Sequence, residues 1–152
     1  MSQTDRERER WLTARHEAGH AVAAFHYGVP VAQVFAKPDG VSLGSTRIAQ
    51  PELPEDAVVI FCGPLAETEW AEFKLGAHIR IRPVGTDLEG LKTLADRYGD
   101  LDRYYEEALS FIQDPIVQTQ VDQLAQALLV RGRLNDSDAR AAAGFVQSRR
   151  RP

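Results

Sequence analysis

Two histidines four residues apart, with a glutamate directly after the first, are the part of this sequence best suited to chemistry: His16-Glu17-Ala18-Gly19-His20. On a helix, residues i and i+4 share one face about one turn apart. Two imidazoles so placed can converge on a single ion at the roughly 2.0–2.1 Å that zinc–nitrogen bonds require. Glu17 points to the edge of the same face, where it can reach a water on that ion without being a ligand. Zinc lowers the pKa of such a water toward about 7, and the carboxylate takes the proton as hydroxide attacks a carbonyl. Gly19 costs about 1 kcal/mol relative to alanine in mid-helix. That expense makes sense where another backbone, or a substrate, must approach closely.

A hydrolytic zinc site needs a third protein ligand and leaves its fourth position to water. Downstream, Glu52, Glu67, Glu69, His78 and Asp87 all qualify by residue type. Asp87 also has a purely structural reading, because an acidic side chain in the first turn of a helix stabilises the positive end of the dipole. Glu67 can be a ligand, a partner that holds a histidine N–H from behind, or an exposed residue; the second is preferred. His26 lies ten residues past His16, nearly three turns along the same helix, and reads as a helix-end residue.

These groups must be carried by a framework that the apolar pattern predicts. Leu12, Ala14, Ala18, Ala21, Val22 and Phe25 recur at helical spacing from about Trp11, and Gly28 with Pro30 closes that helix. Two alternating stretches, Val31–Ala36 and Ser45–Ala49, flank Pro38-Asp39-Gly40 and predict a β-hairpin. A second helix is expected from near Glu55, broken or kinked at Gly63-Pro64 and resuming over Leu65 to Phe73. Residues 75–85 read as a loop. Thr86-Asp87-Leu88-Glu89 has the form of a capping box and opens a helix that ends at Gly99. Helices over Leu101–Gln113, from Pro115 to about Val130, and from Asp136 complete a mainly α domain of about six helices with a small β-hairpin or sheet. Tyr98, Tyr104, Tyr105 and Phe111 read as packing, and Cys62 as a buried small hydrophobe.

The 152 residues suit a single domain, residues 1–152, with flexible ends at 1–10 and 148–152. An apolar fraction of 43% and a charged fraction of 26% are those of an ordinary globular protein. The net charge of −4 argues against a nucleic-acid partner. A lone cysteine permits no internal disulfide. The opening MSQTDRERER lacks the apolar core of a signal peptide, and no apolar run is long enough for a membrane span. A cytoplasmic location is therefore expected.

Beyond these local signals, Thr13-Ala14-Arg15-HEAGH-Ala21 resembles the peptidase domain of FtsH-type, membrane-tethered AAA proteases. Residues 31–47, VAQVFAKPDGVSLGSTR, resemble that family's strand pair. Cys62-Gly63-Pro64-Leu65-Ala66-Glu67 is similar to its GGRAAE segment, Thr86-Asp87-Leu88 to the NDL tripeptide that carries its third zinc ligand, and LNDSDARAA to its terminal helix–turn–helix. The resemblance covers roughly residues 11–146. It implies a mainly helical metallopeptidase domain in which His16, His20 and Asp87 hold Zn²⁺ and Glu17 is the general base. Gly44, Ser45 and Thr46 then lie on an edge strand that accepts an extended peptide by main-chain hydrogen bonds; an edge blunted by Arg47 is the alternative. The chain departs from the family where Pro64 and Leu65 replace the usual Gly-Arg pair and in having no G-x-x-x-x-G-K-[ST] nucleotide loop. Peptides or unfolded proteins are thus the expected substrates, with a separate ATPase or adaptor as a partner for folded ones. The competing expectation is a metal-bearing binding or regulatory module without catalysis.

Overall fold

A computed structural model describes residues 2–36, 45–48, 51–75, 83 and 85–145, without the side chains of 45–48 and 69–75. Among the described residues the fold is mainly helical, with six helices and one three-stranded antiparallel sheet. Helix α1 (Gln3–Tyr27) is its centre and packs against α2 (Asp56–Leu75), α5 (Pro115–Arg131), α6 (Asp136–Ala143) and the sheet. Helix α3 (Gly85–Tyr98) lies on α2, and α4 (Asp102–Gln113) bridges α2 and α5.

The start of α1 corrects the expected one. The helix begins at Gln3, because the Ser2 hydroxyl accepts from the Asp5 amide and the Arg/Glu run that follows is compatible with helix. Its first seven residues, up to Glu9, are exposed, and the apolar pattern near Trp11 marks where the helix enters the core, not where it starts. At the other end Gly28 closes it as expected, its N–H bonding the Ala24 carbonyl.

Helix α2 also differs from expectation. It runs unbroken through Gly63-Pro64 although Pro64 cannot donate to the carbonyl one turn back. What holds it is burial: Ala57, Val58, Val59, Cys62, Leu65 and Ala66 are all inside. Each large apolar side chain so buried contributes about 1.5–3 kcal/mol, enough in sum to offset the roughly 3 kcal/mol of an internal proline.

The sheet has the order β2-β1-β3, with β1 at Val31–Phe35, β2 at Ser45–Ile48 and β3 at Arg133–Asn135. β1 and β2 pair antiparallel, Phe35 opposite Ser45 and Val34 opposite Thr46. β3 extends the expected hairpin into a sheet by pairing Val34 with Leu134, a buried residue. The Pro38-Asp39-Gly40 turn, Gly44 and the 76–82 part of the expected loop, His78 included, fall outside the described residues.

The later helices follow their caps. Asp114 accepts from the Ile116 amide with Pro115 at the first position of α5, and Asn135 accepts from the Asp138 amide at the start of α6. Helix α3 opens at Gly85, so Thr86 stands in the first turn and not at the cap. Tyr105 packs edge-on against Phe61, whereas Tyr98 is half-exposed and sends its hydroxyl to the Glu52 carbonyl. Cys62 is fully buried, which pushes its thiol pKa up. No described helix is long and apolar enough to cross a membrane.

Candidate metal centre

The site is assembled where α1 and α2 approach closely, and two glycines permit the approach. A Cβ on Gly19 would stand 2.4 Å from the Cys62 carbonyl oxygen and 2.6 Å from the Ala66 Cβ. One on Gly63 would stand 2.3 Å from His20 Nε2. Gly19 thus admits the backbone of α2, as its cost in mid-helix suggests, and Gly63 admits the His20 ring.

Each imidazole is fixed through Nδ1. His20 Nδ1–H donates to the Val59 carbonyl at 2.9 Å. A carbonyl oxygen only accepts, so this bond sets the tautomer and leaves Nε2 as the ring's lone-pair atom. His16 Nδ1 lies 2.9 Å from Glu67 Oε2, a carboxylate that accepts in the same way. Glu67 therefore stands behind His16, on the side of the ring away from Asp87.

Both Nε2 atoms face Asp87. His16 Nε2 is 2.9 Å from Asp87 Oδ2, His20 Nε2 is 3.2 Å from Asp87 Oδ1, and the two Nε2 atoms are 3.2 Å apart. Ligand atoms bound tetrahedrally to one zinc at 2.0–2.1 Å are about 3.3 Å from each other. The separations observed here approach that value, and His16, His20 and Asp87 form a cluster that can hold a metal ion. Asp87 reaches it from the first turn of α3, which packs on α2.

Electrostatics supply the second test of fit. Two imidazole lone pairs and a carboxylate converging within hydrogen-bond distance repel one another unless a cation lies between them. A proton on His16 can play that part. Burial alone would lower its pKa, but hydrogen bonds to Asp87 and Glu67, with the nearby Glu17 charge, raise it from 6.5 to about 10. Asp87 responds in the opposite sense: burial would raise its pKa, yet the bond from His16, with the two imidazoles beside it, holds its carboxyl well below the usual carboxylate range. The arrangement is cation-seeking.

Glu17 is buried at 7% exposure, directly after His16 on α1. Of the other ligand candidates, Glu52 is exposed on the segment before α2, while the side chain of Glu69 and all of His78 fall outside the described residues. His26 stays at the end of α1, where its Nε2 meets Gln120 Oε1 at 2.7 Å and its ring packs on Phe111 and Phe145. Ser45 and Thr46 lie on β2, which occupies an edge of the sheet and borders α1.

The sequence reading missed Arg15. Its side chain is completely buried, and it reaches three neighbouring groups: the Ala66 carbonyl, Gln118 and Asp122. An arginine inside a helix turn otherwise occupied by buried alanines was the available signal. Compared with known proteins, the chain matches no family model and no curated sequence.

Proposed function

We propose that this chain is a zinc-dependent peptidase that hydrolyses peptide bonds in peptides or unstructured segments. The observation that carries the reading is the convergence of both Nε2 atoms on Asp87, with each Nδ1 tied behind and a buried carboxylate, Glu17, next in sequence to His16. A structural zinc site closes its fourth position with a further protein ligand, whereas three ligands leave one open. Among the described residues the cluster has three. The resemblance of HEAGH and Thr86-Asp87-Leu88 to the FtsH-type peptidase domain supports the same assignment.

Zinc bound there supplies Lewis acidity and a nucleophilic water at neutral pH. The protein's own groups do the rest. His16, His20 and Asp87 hold the ion, and Glu67 and the Val59 carbonyl keep the two rings in their tautomer and orientation. Glu17 accepts a proton from the attacking water and delivers it to the leaving amine. The edge of β2 offers main-chain donors and acceptors to an extended substrate, the role proposed for Gly44, Ser45 and Thr46. Folded substrates require a separate ATPase or adaptor to open them.

The test compares wild type with Glu17→Gln at matched zinc content, measured by elemental analysis, on an unstructured substrate such as casein. Wild type should carry about one zinc per chain, and the variant should keep its zinc while turnover falls by about 10²–10⁴, the usual contribution of a general base. Fully loaded wild type that cleaves nothing, alone or with added partners, would transfer support to the binding-module reading.

A further inference from the structure

Arg15 brings a guanidinium into the interior beside the metal cluster, yet takes no part in the proposed reaction. Its Nε donates to the Ala66 carbonyl on α2 at 2.9 Å, and its Nη2 donates to Gln118 Oε1 on α5 at 2.8 Å. Nη1 pairs with the half-exposed carboxylate of Asp122, one turn farther along α5. Gln118 in turn donates to the Ile112 carbonyl near the end of α4. One side chain thereby fixes α1 to α2 and α5 at a single level of the fold.

That level is where the ligands are held. Arg15 immediately precedes His16, and Ala66 immediately precedes Glu67. The Arg15–Ala66 and His16–Glu67 bonds are therefore two adjacent rungs between antiparallel helices. A slide of α1 along α2 would break both together. The planar guanidinium binds in several fixed directions at once, which a flexible ammonium does not.

Resting on the zinc reading above, we propose that Arg15 is a positioning residue for the metal centre. It locks α1 against α2 so that Glu67 meets His16 Nδ1 and both Nε2 atoms stay directed at Asp87. Its partners on α5 and α4 make the precision of the site depend on helices that contribute no ligand.

The experiment uses the full chain with zinc or cobalt alone, as wild type, Arg15→Met, Arg15→Lys and Leu134→Ala. Methionine retains most of the volume, and loss of the guanidinium leaves Asp122 accessible to water, so no charge is stranded inside. Leu134→Ala truncates the core on β3, which packs on β1, α5 and α6. Zinc affinity is read by competition with a chromophoric chelator, and ligand geometry by the d–d absorption of the cobalt protein. Arg15→Met should bind zinc ten- to hundredfold more weakly, the range for losing an outer partner of a ligand, with a shifted cobalt band. Arg15→Lys should fall between it and wild type. Leu134→Ala should lose stability yet keep both the affinity and the spectrum.

An Arg15→Met protein within twofold of wild type and with the same cobalt spectrum overturns the proposal. So does a Leu134→Ala protein that shifts both readouts as far, since general loosening then explains them. If Arg15→Met does not fold, Arg15→Lys decides: weaker zinc with an altered band supports the role, and unchanged values refute it. Wild type that takes up neither metal would instead overturn the zinc reading itself.

Discussion

Replacing Gly63 with alanine adds one methyl group where the structure leaves no room for it. The new Cβ would stand 2.3 Å from His20 Nε2, 2.4 Å from its Cε1 and 2.7 Å from its Cδ2, covering the edge of the ring that faces the cluster. Real Cβ atoms essentially never come closer than 3.0 Å, so Nε2 must retreat by about 0.7 Å at the least. The ring cannot simply slide back, because its Nδ1 is tied to Val59 at 2.9 Å. Metal–ligand distances tolerate only about 0.2 Å, so the displacement removes one ligand of three. Zinc should then bind at least about a hundredfold more weakly, beyond the ten- to hundredfold of losing an outer partner. The fold should survive, because alanine gains about 1 kcal/mol of helix propensity over glycine and overpacking costs about 1–3 kcal/mol. Chelator competition at pH 7 measures the affinity, and circular dichroism with thermal melting checks the helices. A folded Gly63→Ala protein whose zinc affinity stays within threefold of wild type would refute this account of how α2 shapes the site.

Other expectations follow from the same geometry. Asp87→Ala should abolish tight zinc binding while Glu67→Ala weakens it ten- to hundredfold; the reverse ranking in a competition titration would show that the third ligand is misassigned. In a chelator-stripped protein, His16 stabilises the fold fully below its unfolded pKa of 6.5 and loses that contribution as pH rises through about 10. Asp87, with its pKa depressed, contributes above 3.8 and loses its share as pH falls. The urea midpoint should therefore decline steadily from pH 6.5 to 10, and a flat profile over that window would count against a protonated His16 bridging the carboxylates. Because zinc must displace that proton, its apparent affinity should improve about tenfold per pH unit between 6.5 and 10; a pH-independent titration would be inconsistent with the site.

What could be read from the sequence was mainly what is local. The HEAGH spacing specifies a shared helix face by itself, and the Asn135 and Pro115 signals placed the starts of α6 and α5 because a cap depends on its own next few residues. Asp87 was different: its type and helix position fit a ligand and a dipole partner equally, and only the likeness of its tripeptide favoured the first. The missed features are those decided elsewhere in the chain. β3 is three residues long, too short for any alternation, and exists because β1 presents an edge to it. Pro64 looks like a break until the packing of α2 on α1 and α4 is known. Gly63 could be recognised as a turn residue but not as the floor under a histidine 43 positions earlier. Ser2 is the exception, since its cap was legible locally and was obscured by the absence of apolar residues after it.

The contact between His16 and Asp87 joins residues 71 positions apart. An ion seated there would act as a cross-link that the lone Cys62 cannot provide, closing most of the first half of the chain into one loop. Unlike a disulfide, this tie opens when the chain unfolds, so it stabilises as a ligand bound by the folded state alone, by about 2.7 kcal/mol when free metal exceeds Kd a hundredfold, a large part of the stability of an ordinary domain. The ion's own binding energy is thereby coupled to the topology of α1 through α3. Withdrawing it would free α1 and α3 from that tie, so that supply of the metal would govern how long the fold survives as well as the geometry of the site.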